Sequence, residues 1–189
     1  MMEKNNLYHG ISKCAWAYFF LYFDINLGSV SILPDFVAFL LFLSAIGLLK
    51  EEERELGLLI PLGDILAGWY ILQWLVSWVG RDLNGLIPGL DIVICLANLY
   101  FHFQLLTNLA AIAAKYQSVG AEHDRKLLKY RTMQTILFTI MMVLSYLSTL
   151  FGEIWAYVSI AIGAVYLIAG LCMMAALFGL RKELSINKL

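Results

Sequence analysis

Two uncharged apolar runs near the C-terminus set the class of this chain. Thr132–Gly152 is 21 residues without Asp, Glu, Lys, Arg or His, and Ile154–Leu180 is 27. A helix crossing a hydrocarbon core of ~30 Å needs ~20 predominantly apolar residues. Backbone polar groups cannot remain unpaired in lipid, so such runs fold as helices. Ile92–Ala114 is a third run, interrupted only by His102, and Leu58–Val79 a fourth, with Pro61 and Asp64 near its start. Leu7–Phe23 carries His9 and Lys13, and Phe36–Leu49 has 14 uncharged residues, so these two predict short or tilted spans.

The expectation is an all-α, polytopic membrane protein: one integral membrane domain over 1–189, with six helices at about 7–23, 34–50, 58–79, 91–114, 132–151 and 153–180. Composition agrees, with 61% hydrophobic and 14% charged residues, where soluble domains average roughly 45–50% and about 25%. A net charge of −1 lacks the basic excess of a nucleic-acid binder. With the N-terminus in the cytoplasm, six alternating helices place every Lys and Arg inside except Arg81, as the positive-inside rule requires. Both termini are then cytoplasmic. Asp24-Ile-Asn26 follows the first apolar run where a signal peptidase would need small residues, so the first helix is expected to stay. Cys14, Cys95 and Cys172 fall inside expected helices and read as small packing residues.

The three prolines stand at 34, 61 and 88, a constant step of 27, each shortly before an aspartate at an expected helix start. Leu59-Ile-Pro61-Leu-Gly-Asp64-Ile65 and Leu86-Ile-Pro88-Gly-Leu-Asp91-Ile92 share Leu-Ile-Pro-x-x-Asp-Ile. Proline suits a first helical turn, and aspartate there accepts unpaired N–H groups at the positive end of the dipole. Two readings stay open: an old repeat with carboxylates at helix mouths, or three ordinary helix starts. Asp24, Asp35, Asp82, Asp91 and Glu153 make the outer side acidic, and Asp24, Asp35 and Glu153 would form an outer acidic mouth. The uncharged segment Ile25–Leu33 is expected to fold back like a lid or lie at the headgroup level. On the inner side, Lys50-Glu-Glu-Glu-Arg-Glu55 is a solvated charge run that could dock a partner. Arg125, Lys126, Lys129 and Arg131 read as a basic juxtamembrane segment attracted to anionic lipid.

Asp91, Cys95, Asn98 and His102 fall at i, i+4, i+7 and i+11, one face of a helix. His102 would lie about 16 Å below Asp91, near the middle of the core. Ionisable groups at that depth face the bundle or a watery cavity and are functional candidates. Gln73 on the third helix, and Thr139 and Tyr146 on the fifth, are the expected partners. Asp91, Asn98, His102, Gln73, Thr139 and Tyr146 would together bind a small polar solute. The competing reading is interhelical glue, since polar side chains commonly hydrogen-bond across membrane bundles. Ser159/Gly163 and Ala175/Gly179 are small-xxx-small pairs that permit close helix approach.

Catalytic and metal signatures fail. His9, His102 and His123 are far apart, and neither His-Glu-x-x-His nor Gly-x-Ser-x-Gly occurs. Gly28-Ser29-Val30 places a serine in an apolar outer segment, with no histidine at comparable depth other than His102. Glu51-Glu52 is similar to the paired glutamates of intramembrane metallo-type proteases. There an arginine follows four residues after the second glutamate, whereas here Arg54 follows two after, in a charged loop.

Asn26-Leu-Gly-x-x-x-Ile-Leu-Pro-Asp-Phe36 resembles a segment of uncharacterised small multi-pass bacterial membrane proteins, a likeness that implies a bacterial cytoplasmic membrane and no activity. The size and helix count resemble the substrate-binding subunits of energy-coupling-factor importers, and Ile60-Pro-Leu-Gly-Asp-Ile-Leu66 echoes Gly-Asp segments in them. Their first helix carries an Ala-x-x-x-Ala docking face, whereas Ala15 and Ala17 here are two apart. The functional expectation is a non-enzymatic protein, without cofactor or metal, that binds or transports a small polar or cationic solute from the outer face. The alternative is a non-catalytic accessory or scaffold subunit. Expected partners are the lipid bilayer, the solute, and a membrane-protein partner or second copy, with no nucleic acid.

Overall fold

The computed structural model describes residues 2–23, 26–27, 30–31, 34–79, 83, 89–151 and 154–186. Six α-helices carry the fold: α1 (Met2–Tyr22), α2 (Asp35–Leu49), α3 (Ile60–Ser77), α4 (Leu90–Tyr116), α5 (His123–Phe151) and α6 (Ile154–Ile186). A 3₁₀ turn over Arg54–Leu59 leads into α3. Between α1 and α2, two-residue strands β1 (Asn26–Leu27) and β2 (Val30–Ser31) pair antiparallel, Asn26 opposite Ser31 and Leu27 opposite Val30. The β2 backbone passes beside α3. The rest of the expected lid lies outside the described residues.

Local chemistry sets the helix starts. Pro34 is extended (φ −70°, ψ 142°), and Asp35 occupies the first turn of α2. Asp91 occupies the first turn of α4, after Gly89 at φ 84°, a left-handed conformation that glycine adopts without steric cost. Pro61 begins α3 as expected, but Asp64 stands beyond that helix's first turn, so the shared Pro–Asp spacing does not give a shared cap. The start of α5 differs most from expectation, at His123 rather than 132. Gln117 and Asp124 close the turn reciprocally: the Gln117 amide donates to the Asp124 carboxylate (2.8 Å), and the Asp124 backbone N–H donates to the Gln117 carbonyl (3.2 Å). The basic segment 125–131 is therefore helix.

The helices stand in a ring in chain order, with α6 closing on α1. The main core occupies the end that holds the N-terminus of α1 and the C-terminus of α6. Leu7, Ile11, Cys14 and Tyr18 line one stripe of α1, and they are buried with Phe39, Phe42, Ile46 and Leu49 of α2. Phe101, Leu105, Leu109 and Ile112 of α4, and Met173, Leu177 and Leu180 of α6, complete the cluster.

The charged groups gather at that same end and tie it together. Lys115 bonds the Glu53 carboxylate (3.1 Å) and the Glu52 backbone carbonyl (2.8 Å), Tyr116 donates to the Glu52 carboxylate, and Gln104 donates to Glu55 (3.1 Å). Three glutamates of the 50–55 run thus hold α4. Glu183 of α6 accepts from the Ser118 backbone N–H and meets His123 Nε2, both at 3.1 Å, which fastens the α4–α5 turn.

Apolar side chains also cover the outside. Ile65, Leu72 and Leu75 of α3, and Tyr157, Ile160 and Ile168 of α6, are exposed. Four helical stretches are long and apolar enough to cross a bilayer: Arg54–Ser77, Leu90–Tyr116, His123–Ser145 and Tyr157–Ser185. Apart from the short β1–β2 pair the described fold is helical, and these four stretches give it the length and composition of a membrane protein. The small-residue pairs of α6 divide: Gly179 lies against the His123 ring, so close that a Cβ would meet it, whereas Gly163 faces open space.

Candidate functional site

The polar face of α4 turns inward at Asn98 and His102. The Asn98 amide nitrogen donates to the Tyr70 hydroxyl of α3 at 2.7 Å, and the Tyr18 hydroxyl of α1 lies 3.2 Å from His102 Nδ1. Rings surround His102: the centroids of Tyr18, Phe42 and Phe101 are 5.5, 5.5 and 5.4 Å away, and that of Phe39 is 5.9 Å. Among the described residues, Asn98 Oδ1 and His102 Nε2 are buried without a hydrogen-bond partner. A buried polar atom left unpaired costs about 1–3 kcal/mol.

These two residues line a cavity of about 200 Å³ between α1, α4, α5 and α6. At ~30 Å³ per water in the liquid, that is room for roughly seven waters or one small organic molecule. From α1 come Tyr18 and Tyr22, stacked with ring centroids 6.3 Å apart. From α5 come Arg131, Gln134, Thr135 and Phe138, at i, i+3, i+4 and i+7 on one helical face. The Gln134 amide donates to the Tyr22 hydroxyl, and Tyr166 of α6 brings its ring centroid 5.9 Å from that of Tyr22. Arg131 Nη1 donates to the Thr107 hydroxyl at 2.8 Å, and its guanidinium carbon stands 4.3 Å from the centre of the Phe103 ring. Its Nε is buried without a partner among the described residues.

Of the six residues expected from sequence to bind a solute, Asn98 and His102 line this cavity. Gln73 is half-buried on α3 and lines no part of it. Thr139 is one turn beyond the lining face of α5, and its hydroxyl returns to the Thr135 carbonyl at 2.8 Å. Asp91 sits in the first turn of α4, 11 residues from His102, and is not in the cavity wall. The side chain of Tyr146 lies outside the described residues, as do Asp24 and Glu153 of the expected acidic mouth. Asp35 is half-buried at the start of α2, away from the cavity. Among the described residues, no group of three or more His, Cys, Asp or Glu side chains could hold a metal ion.

The wall contains residues that sequence reasoning missed. Tyr18 continues the stripe of Leu7, Ile11 and Cys14 with Tyr22 four residues on, a signal masked by the weak hydropathy of α1. Arg131 reads in sequence as the last member of a basic cluster. Its spacing to Gln134, Thr135 and Phe138 was the available sign that it faces inward.

Comparison of the chain with protein-family models, with curated proteins and with solved structures gives no match.

Proposed function

We propose that this is a solute-binding membrane protein of transport type, crossing the bilayer six times with both termini in the cytoplasm. Its site is the cavity between α1, α4, α5 and α6. The observation that carries this reading is the combination of a partly open cavity of about 200 Å³ with Asn98 Oδ1 and His102 Nε2, without partners among the described residues, in its wall. Each residue bonds across helices through its other polar atom, Asn98 to Tyr70 and His102 to Tyr18. A bound solute would supply partners for the remaining two.

Access from the outer face is supported by the length of α1. That helix ends at Tyr22, which itself lines the cavity, so the connection 23–34 starts at the level of the site. α6 extends 12 residues beyond Tyr166 toward the same end, about 18 Å of helix. The site therefore lies about that far below that end of α6, which supports entry from the outer side. The charge of the wall shifts the expected solute. Arg131 is the formally charged lining residue, and it favours a neutral or anionic molecule over a cation.

The test is thermal unfolding of the purified full chain against pooled small metabolites. A ligand at 100 times its dissociation constant contributes about 2.7 kcal/mol. The expected result is a stabilising pool whose effect is lost in Asn98→Ala and His102→Leu. If stabilisation persists unchanged in both variants, the solute binds elsewhere. If no pool stabilises the protein, the accessory-subunit reading takes its place.

A further inference from the structure

Arg131 brings a positive charge to the cavity wall. Among the described residues, no carboxylate lies within ion-pair distance of it. Six carboxylates at that end of the bundle are engaged elsewhere: Glu52 with Tyr116, Glu53 with Lys115, Glu55 with Gln104, Glu122 with Arg125, Asp124 with Gln117 and Glu183 with His123. Arg131 is half-buried, and its partners among the described residues are neutral: the Thr107 and Thr132 hydroxyls and the face of the Phe103 ring.

A guanidinium offers five N–H donors in a planar fork that matches a carboxylate or phosphate. The described contacts engage Nη1 with Thr107 and, at 3.5 Å, Nη2 with Thr132. Nε is buried in the wall of the cavity and unpaired. Beside it, Phe103 and Phe138 supply aromatic wall, and Leu106 aliphatic wall.

We infer that the cavity receives the oxyanion of a small amphipathic molecule, with Arg131 as its counter-ion and an apolar or aromatic body against Phe103, Leu106 and Phe138. This rests on the cavity being a solute site and names the chemistry of the solute. The same oxyanion chemistry is available from a free organic acid and from an anionic lipid headgroup.

Benzoate and benzamide separate charge from shape, since they differ in the group that Arg131 would meet. Their affinities for the purified full chain are compared by thermal shift and titration calorimetry, in wild type, Arg131→Gln and Arg131→Lys. The expected result is benzoate at least about tenfold tighter than benzamide, a preference lost in Arg131→Gln and partly kept in Arg131→Lys. The wild-type comparison stands even if Arg131→Gln does not fold. Equal affinities, with both ligands lost in His102→Leu, would overturn the oxyanion assignment and leave the solute site standing. If neither ligand binds, nanodiscs of phosphatidylglycerol and of phosphatidylcholine decide the source. An Arg131-dependent gain in melting temperature in the anionic discs would assign the oxyanion to lipid. No gain there would overturn both readings.

Discussion

The Tyr22 ring rests against Gly170, where α6 has no room for even a methyl group. This approach carries Tyr22 from the last turn of α1 to the Gln134 amide of α5, and so joins three walls of the cavity. Gly170→Ala should push the ring aside and destabilise the protein by about 1–3 kcal/mol, the usual cost of overpacking. Thermal unfolding checks this. Gly163→Ala, on the same helix with open space around it, should be neutral or slightly stabilising.

Tyr18 and His102 form a hydrogen-bonded pair in an aromatic surround. Tyr18→Phe should cost about 1 kcal/mol. In a double-mutant cycle with His102→Leu the two losses should fall short of additivity. Strict additivity would mean that the 3.2 Å contact carries no energy.

Glu183 fastens the α4–α5 turn to α6 through two different acceptor oxygens. Glu183→Ala should destabilise by about 1–3 kcal/mol, because it frees the Ser118 N–H and strands the half of His123 that the carboxylate satisfies. Glu183→Gln should cost clearly less, since its amide carbonyl still accepts from Ser118. Equal losses in the two variants would mean that packing, not hydrogen bonding, fixes the turn.

The six-span topology predicts opposite labelling of the two kinds of connection. In a background with Cys172 replaced, Ser29→Cys should react with an impermeant thiol reagent added outside intact cells. Ser118→Cys, exposed in the α4–α5 turn, should react only after the inner face is opened. The reverse pattern would end the model of cytoplasmic termini.

The sequence by itself determined the class and nearly all of the helices. Long uncharged runs satisfy their backbone in lipid as helices, and Pro34, Asp35 and Asp91 mark helix starts through chemistry confined to one turn. It also brought out Asn98 and His102, because a polar residue in an apolar run stands out without any knowledge of its neighbours. Ends set by reciprocal contacts were less legible: α5 begins nine residues early because Gln117 and Asp124, seven apart, close the turn on each other. Tertiary structure alone decided what stands opposite α4. Gln73 and Thr139 have the right polarity and spacing, yet α3 contributes nothing to the wall and Thr139 lies one turn past its lining residues on α5, and Tyr18, Tyr22, Gln134 and Tyr166 occupy it instead. The reason is physical. A helix's own periodicity says which residues share a face, but the direction that face takes depends on how neighbouring surfaces pack. Arg131 shows the consequence, since the same side chain that reads along the chain as a lipid-facing cation becomes, in the packed bundle, the charge within the cavity wall.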